Sequence, residues 1–188
     1  RQVDLIGGGF DAAIGGGIEL PQGVVARELA RTHVIAVAAP AFVARQLAGR
    51  PLPAHPAELA GLDGIVRRSV MTGRLRNWVL RNAAGEEAPV ECRTRLIFDD
   101  PEAMAQAAMQ GLGIALLPTP HAWPGLQCGA LQRLLPGWSV DQGPISLYYP
   151  HKKLLPLRTR VFIDYVLAAF REQGMAARFD AGIGSPGA

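Results

Sequence analysis

Two adjacent carboxylates, Asp99 and Asp100, stand before a proline and a run of small residues in FDDPEAMAQAAMQGLGIALLP. Carboxyl groups that share acid–base work face each other across a cleft. Two that are neighbours in sequence divide roles instead: Asp99 ends a strand, and Asp100 caps the helix that Pro101 begins. Other reagents are scarce. His33, His55, His121 and His151 are scattered, with no pair at metal-ligand spacing. Ser69 and Ser139 lie in no G-x-S-x-G turn and have no adjacent histidine. Cys92 and Cys128 make neither a metal pattern nor a disulfide framework, and reduced thiols suit a cytoplasmic setting. GGGFDA fits the loose G-x-G-x-x-A dinucleotide pattern, but that pattern needs a helix to open there, and Gly15 interrupts too soon. The glycine triplets read as turns. No catalytic residue, metal ligand or cofactor is expected.

What the sequence does offer is a helix N-terminus at the carboxyl end of a strand. Such an end carries unpaired N–H groups and about half a positive charge. In open α/β sheets, ligands settle in the crevice outside strand ends. This place holds a small, often anionic molecule without transforming it, and the loop RRSVMTG supplies side chains to the same crevice. Arg67, Arg68, Arg74, Arg76 and Arg81 are the nearest thing to a basic face. They read as solvated surface with ion pairs, the alternatives being contact with a small anion or an acidic partner. A net charge of +3 is too mild for nucleic-acid binding by this segment alone.

Positioning these groups requires elements on either side. VVARELARTHVIAVA reads as a long strand, Val24 to Ala38, with Thr32 the place for a bend. FDAAI reads as a short buried strand, and VDLI as an apolar piece broken by Gly7 to Gly9. Pro40 opens a helix closed by Gly49, and PAELAG makes a turn or two more. LDGIVRR is a strand and SVMTGRLRN a loop. WVLRN and VECRTRLIF are strands, open to pairing as a hairpin across AAGEEAP. Met104, Ala107, Ala108 and Gly111 form one narrow helix face, and IALLP is a buried strand. TPHAW suits a helical turn, ALQRLLPGW and ISLYYP suit strands, and Pro156 opens a last helix ended by Gly174. This alternation argues an α/β architecture with a mainly parallel sheet.

The 188 residues, 49% hydrophobic and 19% charged, suffice for a core in one domain or two small lobes. No apolar run is long enough to cross a bilayer, and no start resembles a signal peptide. The chain opens on Arg1 rather than Met and reads as beginning inside a longer protein.

In order and spacing, VDLIGGGFDAAIGGG, VVARELARTHVIAVAAPAFVARQLAGRPLPAHPAELAG, FDDPEAMAQAAMQGLGIALLP, GALQRLLPGW and ISLYYPHKKLLPLRTRVFIDYVLAAF resemble the effector-binding domain of LysR-type transcriptional regulators, from about Val3 to Phe170. The resemblance implies a periplasmic-binding-protein-like fold: two α/β lobes joined by two crossover strands, with a ligand cleft between them. Lobe one would hold residues 1–35 and 130–174, lobe two residues 36–129, and residues 175–188 would be a flexible tail. The crossovers would fall near Arg31 to Ile35 and Gly129 to Leu131. It further implies a small-molecule effector, assembly as a homodimer or homotetramer, DNA contact only through a preceding winged helix-turn-helix, no membrane, and a cytoplasmic location. The alternative is a solute-binding protein of a transport system with the same fold; a hydrolase is a third reading.

Ligand-contact positions carry over as Gly15 and Gly16 at the first strand mouth, Arg68, Ser69 and Val70 in the first loop of lobe two, Asp99 and Asp100 at the helix entry, and Pro118 at the exit of the last lobe-two strand. Three departures bear on these. The family's opening strand, helix and strand before Val3 are not in this sequence, so lobe one is expected to be incomplete. Gly15 stands where the family usually has Arg, and Asp99 where it usually has Asn. The last two changes weigh against a carboxylate ligand unless Arg67 or Arg68 compensates.

Overall fold

Apolar and β-branched residues make Val24–Ala38 a strand of 15 residues, longer than any other element but one, and the fold is organised around it. The computed structural model describes residues 9–16, 22–151 and 155–181. In chain order these form β1 (Ala13–Gly16), β2 (Val24–Ala38), α1 (Pro40–Leu47), a 3-10 turn (Pro56–Leu59), β3 (Asp63–Arg67), β4 (Val79–Arg81), β5 (Glu87–Pro89), β6 (Arg93–Phe98), α2 (Pro101–Met109), β7 (Ile114–Pro118), α3 (Thr119–Gln127), β8 (Gln132–Leu134), β9 (Val140–Pro150), α4 (Leu157–Glu172) and α5 (Met175–Phe179). The expected pieces at VDLI and Gly17 lie outside the described residues.

The chain divides into two units, Arg1–Thr32 with Gln142–Asp180, and His33–Asp141 with Ala181–Ala188. β2 passes from the first to the second at Thr32, and β9 returns at Gln142. The second passage lies past Leu131, where the sequence suggested it. β8 explains the shift: it pairs antiparallel with β2 at Ala36–Ala38 and so belongs to the second unit.

In the first unit β1 pairs antiparallel with β9, Gly15 opposite Ser146 and Gly16 opposite Ile145. The strand thus begins at Ala13 and includes two glycines, rather than ending before them, and Ile14 is exposed. Its core joins Leu29 of β2 and Leu147 and Tyr149 of β9 to Ile163 and Val166 of α4. Residues 175–179, read as the start of a flexible tail, form a helix. Phe179 explains it: the ring is buried and meets Phe170 edge-on at 6.5 Å.

In the second unit the strand order is β2, β7, β3, β6, with β8 on β2. β7 runs antiparallel to β2, while β3 runs parallel to β7 and to β6. The sheet is therefore mixed, not mainly parallel, because β2 enters against the direction of the βα units that follow. Side chains alternate along β2 to give two cores. Val34, Ala36 and Ala38 pack with Phe42, Val43 and Leu47 of α1 and with Trp78, Leu80 and Trp138. Ile35 and Val37 pack with Met104, Ala105, Ala107 and Ala108 of α2 and with Ala122 of α3. α2 stops at Gly111, whose φ of +71° suits glycine, and Arg45 of α1 donates to the Gly111 carbonyl at 3.0 Å.

The pairing of the middle strands differs from the hairpin left open on the sequence. β4 pairs with β5, Val79 opposite Pro89 and Arg81 opposite Glu87. β6 instead lies parallel on β3. A charge-assisted contact supports that choice: Arg93 Nε and Nη2 reach Asp63 Oδ1 at 2.7 and 2.6 Å, with the Asp63 side chain 12% exposed.

Candidate functional site

The carboxyl ends of β3, β6 and α2's entry meet in the second unit. Arg67 is in register with Phe98, and the Arg68 N–H donates to the Phe98 carbonyl at 2.7 Å. This hydrogen bond places Arg68 beside Asp99. Beyond Arg68 the chain turns back on itself instead of forming an open loop. Ser69 N–H donates to the Arg74 carbonyl at 2.8 Å, Gly73 N–H to the Ser69 carbonyl at 2.8 Å, and Arg76 N–H to the Arg67 carbonyl at 2.7 Å. Ser69 Oγ accepts from the Thr72 N–H at 3.3 Å. A short antiparallel bridge, Arg68 with Leu75, closes the turn, and Val70 and Met71 stand exposed at its tip.

Asp100 Oδ1 accepts the Ala103 N–H at 2.9 Å, the N-cap bond that the Asp-Pro pair predicts. The helix entry faces the surface, with Asp100 and Glu102 exposed. It is not bare, however. Asp100's own carboxylate takes one of the free N–H groups, and Pro101 removes another. An anion here would compete with Asp100, so a ligand's negative charge is better served by the arginines. Glu102 reaches His121 Nδ1 at 3.6 Å and accepts from Gln106 at 3.1 Å. Asp99 has no hydrogen bond or ion pair through its carboxylate among the described residues.

Pro118 ends β7 where that strand lies opposite Val34 of β2. β7 and β3 pair in parallel through Gly64 with Ile114, so Pro118 is as far along β7 from that pair as Arg68 is along β3. Six of the sequence-predicted contact residues thus fall at the strand ends of one unit: Arg68, Ser69, Val70, Asp99, Asp100 and Pro118. Gly15 and Gly16 belong to the first unit, in β1; a Cβ on Gly16 would come within 3.3 Å of the Pro144 carbonyl.

The basic group separates by role. Arg81 pairs with Glu87 at 3.1 Å across the β4–β5 hairpin. Arg76 lies over the Trp78 ring at 4.6 Å. Arg67, Arg68 and Arg74 make no side-chain hydrogen bond or ion pair among the described residues. These three are the cations of the strand-end rim that another group can still engage. The sequence placed Arg76 with them, but its stacking on Trp78 gives it a partner. Among the described residues, no cluster of three or more His, Cys, Asp and Glu side chains could hold a metal ion. No helix among them is long and apolar enough to cross a membrane.

A family model described as LysR substrate binding domain matches residues 1–171. The HTH-type transcriptional regulator PtxR of Pseudomonas aeruginosa is 32% identical over 161 residues, covering 86% of this chain and 49% of that protein. The regulatory domain of AphB in Vibrio vulnificus is similar with a TM-score of 0.71 and 30% identity, over 85% of this chain and 76% of that one. The full-length Vibrio cholerae virulence activator AphB, a member of the LTTR protein family, gives a TM-score of 0.70 at 27% identity, over 89% and 55%. This chain spans about half the length of the curated relatives it matches. Those relatives are transcriptional regulators, which favours a regulator over a transport protein with the same periplasmic-binding-protein-like two-lobe fold. The chain belongs to the LysR substrate binding domain family.

Proposed function

We propose that this chain senses a small-molecule effector for a cytoplasmic LysR-type regulator, and that it binds the effector without transforming it. DNA contact belongs to a winged helix-turn-helix elsewhere in the whole protein, and the sensing domain assembles as a homodimer or homotetramer. In the second unit the proposed effector contacts are Arg68, Ser69, Val70, Asp99, Asp100 and Pro118. In the first unit they are Gly15 and Gly16. The observation that carries the reading is the strand-end rim, where Arg68 is unpaired and held by backbone bonds beside a capped helix entry. Pre-set backbone and available cations bind an anionic group with little reorganisation. The effector changes the regulator's state only by binding one arrangement more tightly than another.

A thermal-shift screen of aromatic acids, amino acids and sugar acids tests this. A bound effector at about a hundred times its Kd adds about 2.7 kcal/mol of stability. The expected result is a shift that grows with concentration, is lost in Arg68→Ala, and leaves the ligand chemically unchanged after long incubation. An effector whose shift is the same in Arg68→Ala, or which is consumed, overturns the assignment.

A further inference from the structure

The second unit also contains a cavity of about 340 Å³ that none of the strand-end contact residues lines. It lies between one face of the sheet and the β4–β5 hairpin. Val66, Ile114 and Leu116 form its floor, and Trp78, Val79 and Val90 its walls. The walls are built in place. Trp78 is 7% exposed, its carbonyl accepts the Val90 N–H at 2.9 Å, and Arg76 covers its ring. Gly64 lets the segment just before β6 approach closely: a Cβ there would stand 2.5 Å from Cys92 Cβ.

The cavity opens to solvent on one side, past the exposed Leu75, Asn77, Val79 and Thr94, and water needs two to four polar partners to settle. Here the floor offers hydrocarbon. Burial pushes the Cys92 thiol up to about 11, consistent with an apolar interior at that wall. The charged lining residues are one of each sign, Arg76 and Glu91, so neither an anion nor a cation gains overall attraction. The volume lies at the lower end of the range for small-molecule sites.

We propose that this cavity is a second ligand site, separate from the strand-end rim, for a small, neutral, ring-containing apolar molecule. The ring lies on the Ile114–Leu116 floor beside Trp78, whose ring Arg76 already covers, with its polar substituent towards Asn77 and Thr94. Occupation fastens the β4–β5 hairpin to the sheet, and so couples the site to the turn at Ser69 through Arg76 and its backbone bond to Arg67.

The test is titration of indole into methyl-labelled protein followed by NMR. The expected result is saturable movement of the Val66, Ile114 and Leu116 methyl signals, at least ten-fold tighter than with benzoate. Val79→Trp, which closes the mouth from a half-exposed position, abolishes it, while Arg68→Ala leaves it unchanged. Leu75→Trp closes the mouth from the other side and stands in if the first variant fails to fold. Absence of saturable shifts up to the solubility limit overturns the proposal, as does binding that survives folded closed-mouth variants. Equal binding of benzoate overturns the neutral class, and loss in Arg68→Ala returns indole to the strand-end rim.

Discussion

Strand β3 serves two surfaces of the second unit with opposite chemistry. Its carboxyl end, Arg67 onward, is a rim of exposed charge where backbone bonds hold the turn and side chains are left for another partner. Its middle, Gly64 to Val66, lines an apolar cavity whose shape depends on how closely a neighbouring segment approaches. The two surfaces differ in how they tolerate substitution. At the rim, a side chain can change while the fold stays put, because main-chain groups do the holding. At the cavity, one added methyl group moves walls. Stability measurements therefore separate the two regions even before a ligand is identified.

Gly64→Ala carries the largest expected effect. The new Cβ would meet Cys92 Cβ at 2.5 Å, closer than packed carbon atoms come. Either β3 or the segment before β6 must shift, at a cost of about 1–3 kcal/mol. Urea unfolding measures it as a lowered midpoint with an unchanged slope. Combining it with Cys92→Gly relieves the clash, so the double variant loses less than the sum of the singles by about 1 kcal/mol. A neutral Gly64→Ala, or simple additivity, would mean that close approach does not shape the cavity wall.

Cys92 sharpens the same contrast through pH. Burial raises its pKa from the usual 9.0 to about 11, so the folded state prefers the protonated thiol. Below pH 9 both folded and unfolded chains keep the proton, and the whole contribution is present. Between about 9 and 11 the unfolded chain ionises while the folded one does not, so stability falls as pH rises. The span between those two values sets a ceiling, and partial exposure of the residue reduces the loss to about 1–2 kcal/mol. Other groups titrate in this range, so the quantity to measure is the difference between the natural chain and Cys92→Ala. That difference should open across this window and be flat below it. A difference that is flat throughout would show that solvent reaches the thiol freely.

These regions were unequally legible in the sequence. The bounds of β2 and the start and stop of α2 could be read because their signals are local: an alternation that turns into a continuous apolar run, an Asp-Pro entry, a glycine exit. The strand-end residues followed from those boundaries. The turn at Ser69 was legible only as a loop, because most of the bonds that close it join main-chain groups. The hairpin's pairing was not legible. β4 and β5 are three residues each, too short for a periodic pattern, and β6 finds its partner in β3 through Asp63 and Arg93, 30 positions apart. The cavity depends on that pairing, so no local signal set Trp78 and Cys92 apart. The mixed sheet escaped for a related reason: strand direction depends on where β2 enters, which no local signal records.

The smallest stability effects belong to the rim, and there the two neighbouring aspartates should part company. Asp100 accepts the Ala103 N–H at 2.9 Å, so Asp100→Ala removes a helix cap and costs about 1 kcal/mol. The Asp99 carboxylate touches no described partner, and Asp99→Asn should change stability by less than about 0.5 kcal/mol. Effector binding should reverse the ranking of interest. Removing the Asp99 charge beside Arg68 leaves that guanidinium with less competition, so an anionic effector found in the screen should bind Asp99→Asn more tightly than the natural chain. A neutral one should be nearly indifferent to the change. Calorimetric titration of both variants at low and moderate salt decides it, since a charge effect at an exposed rim fades as salt rises. Equal loss of stability in the two variants would show that Asp99 shares in holding the helix entry. A salt-independent gain would point to shape instead of charge as the selector at this edge.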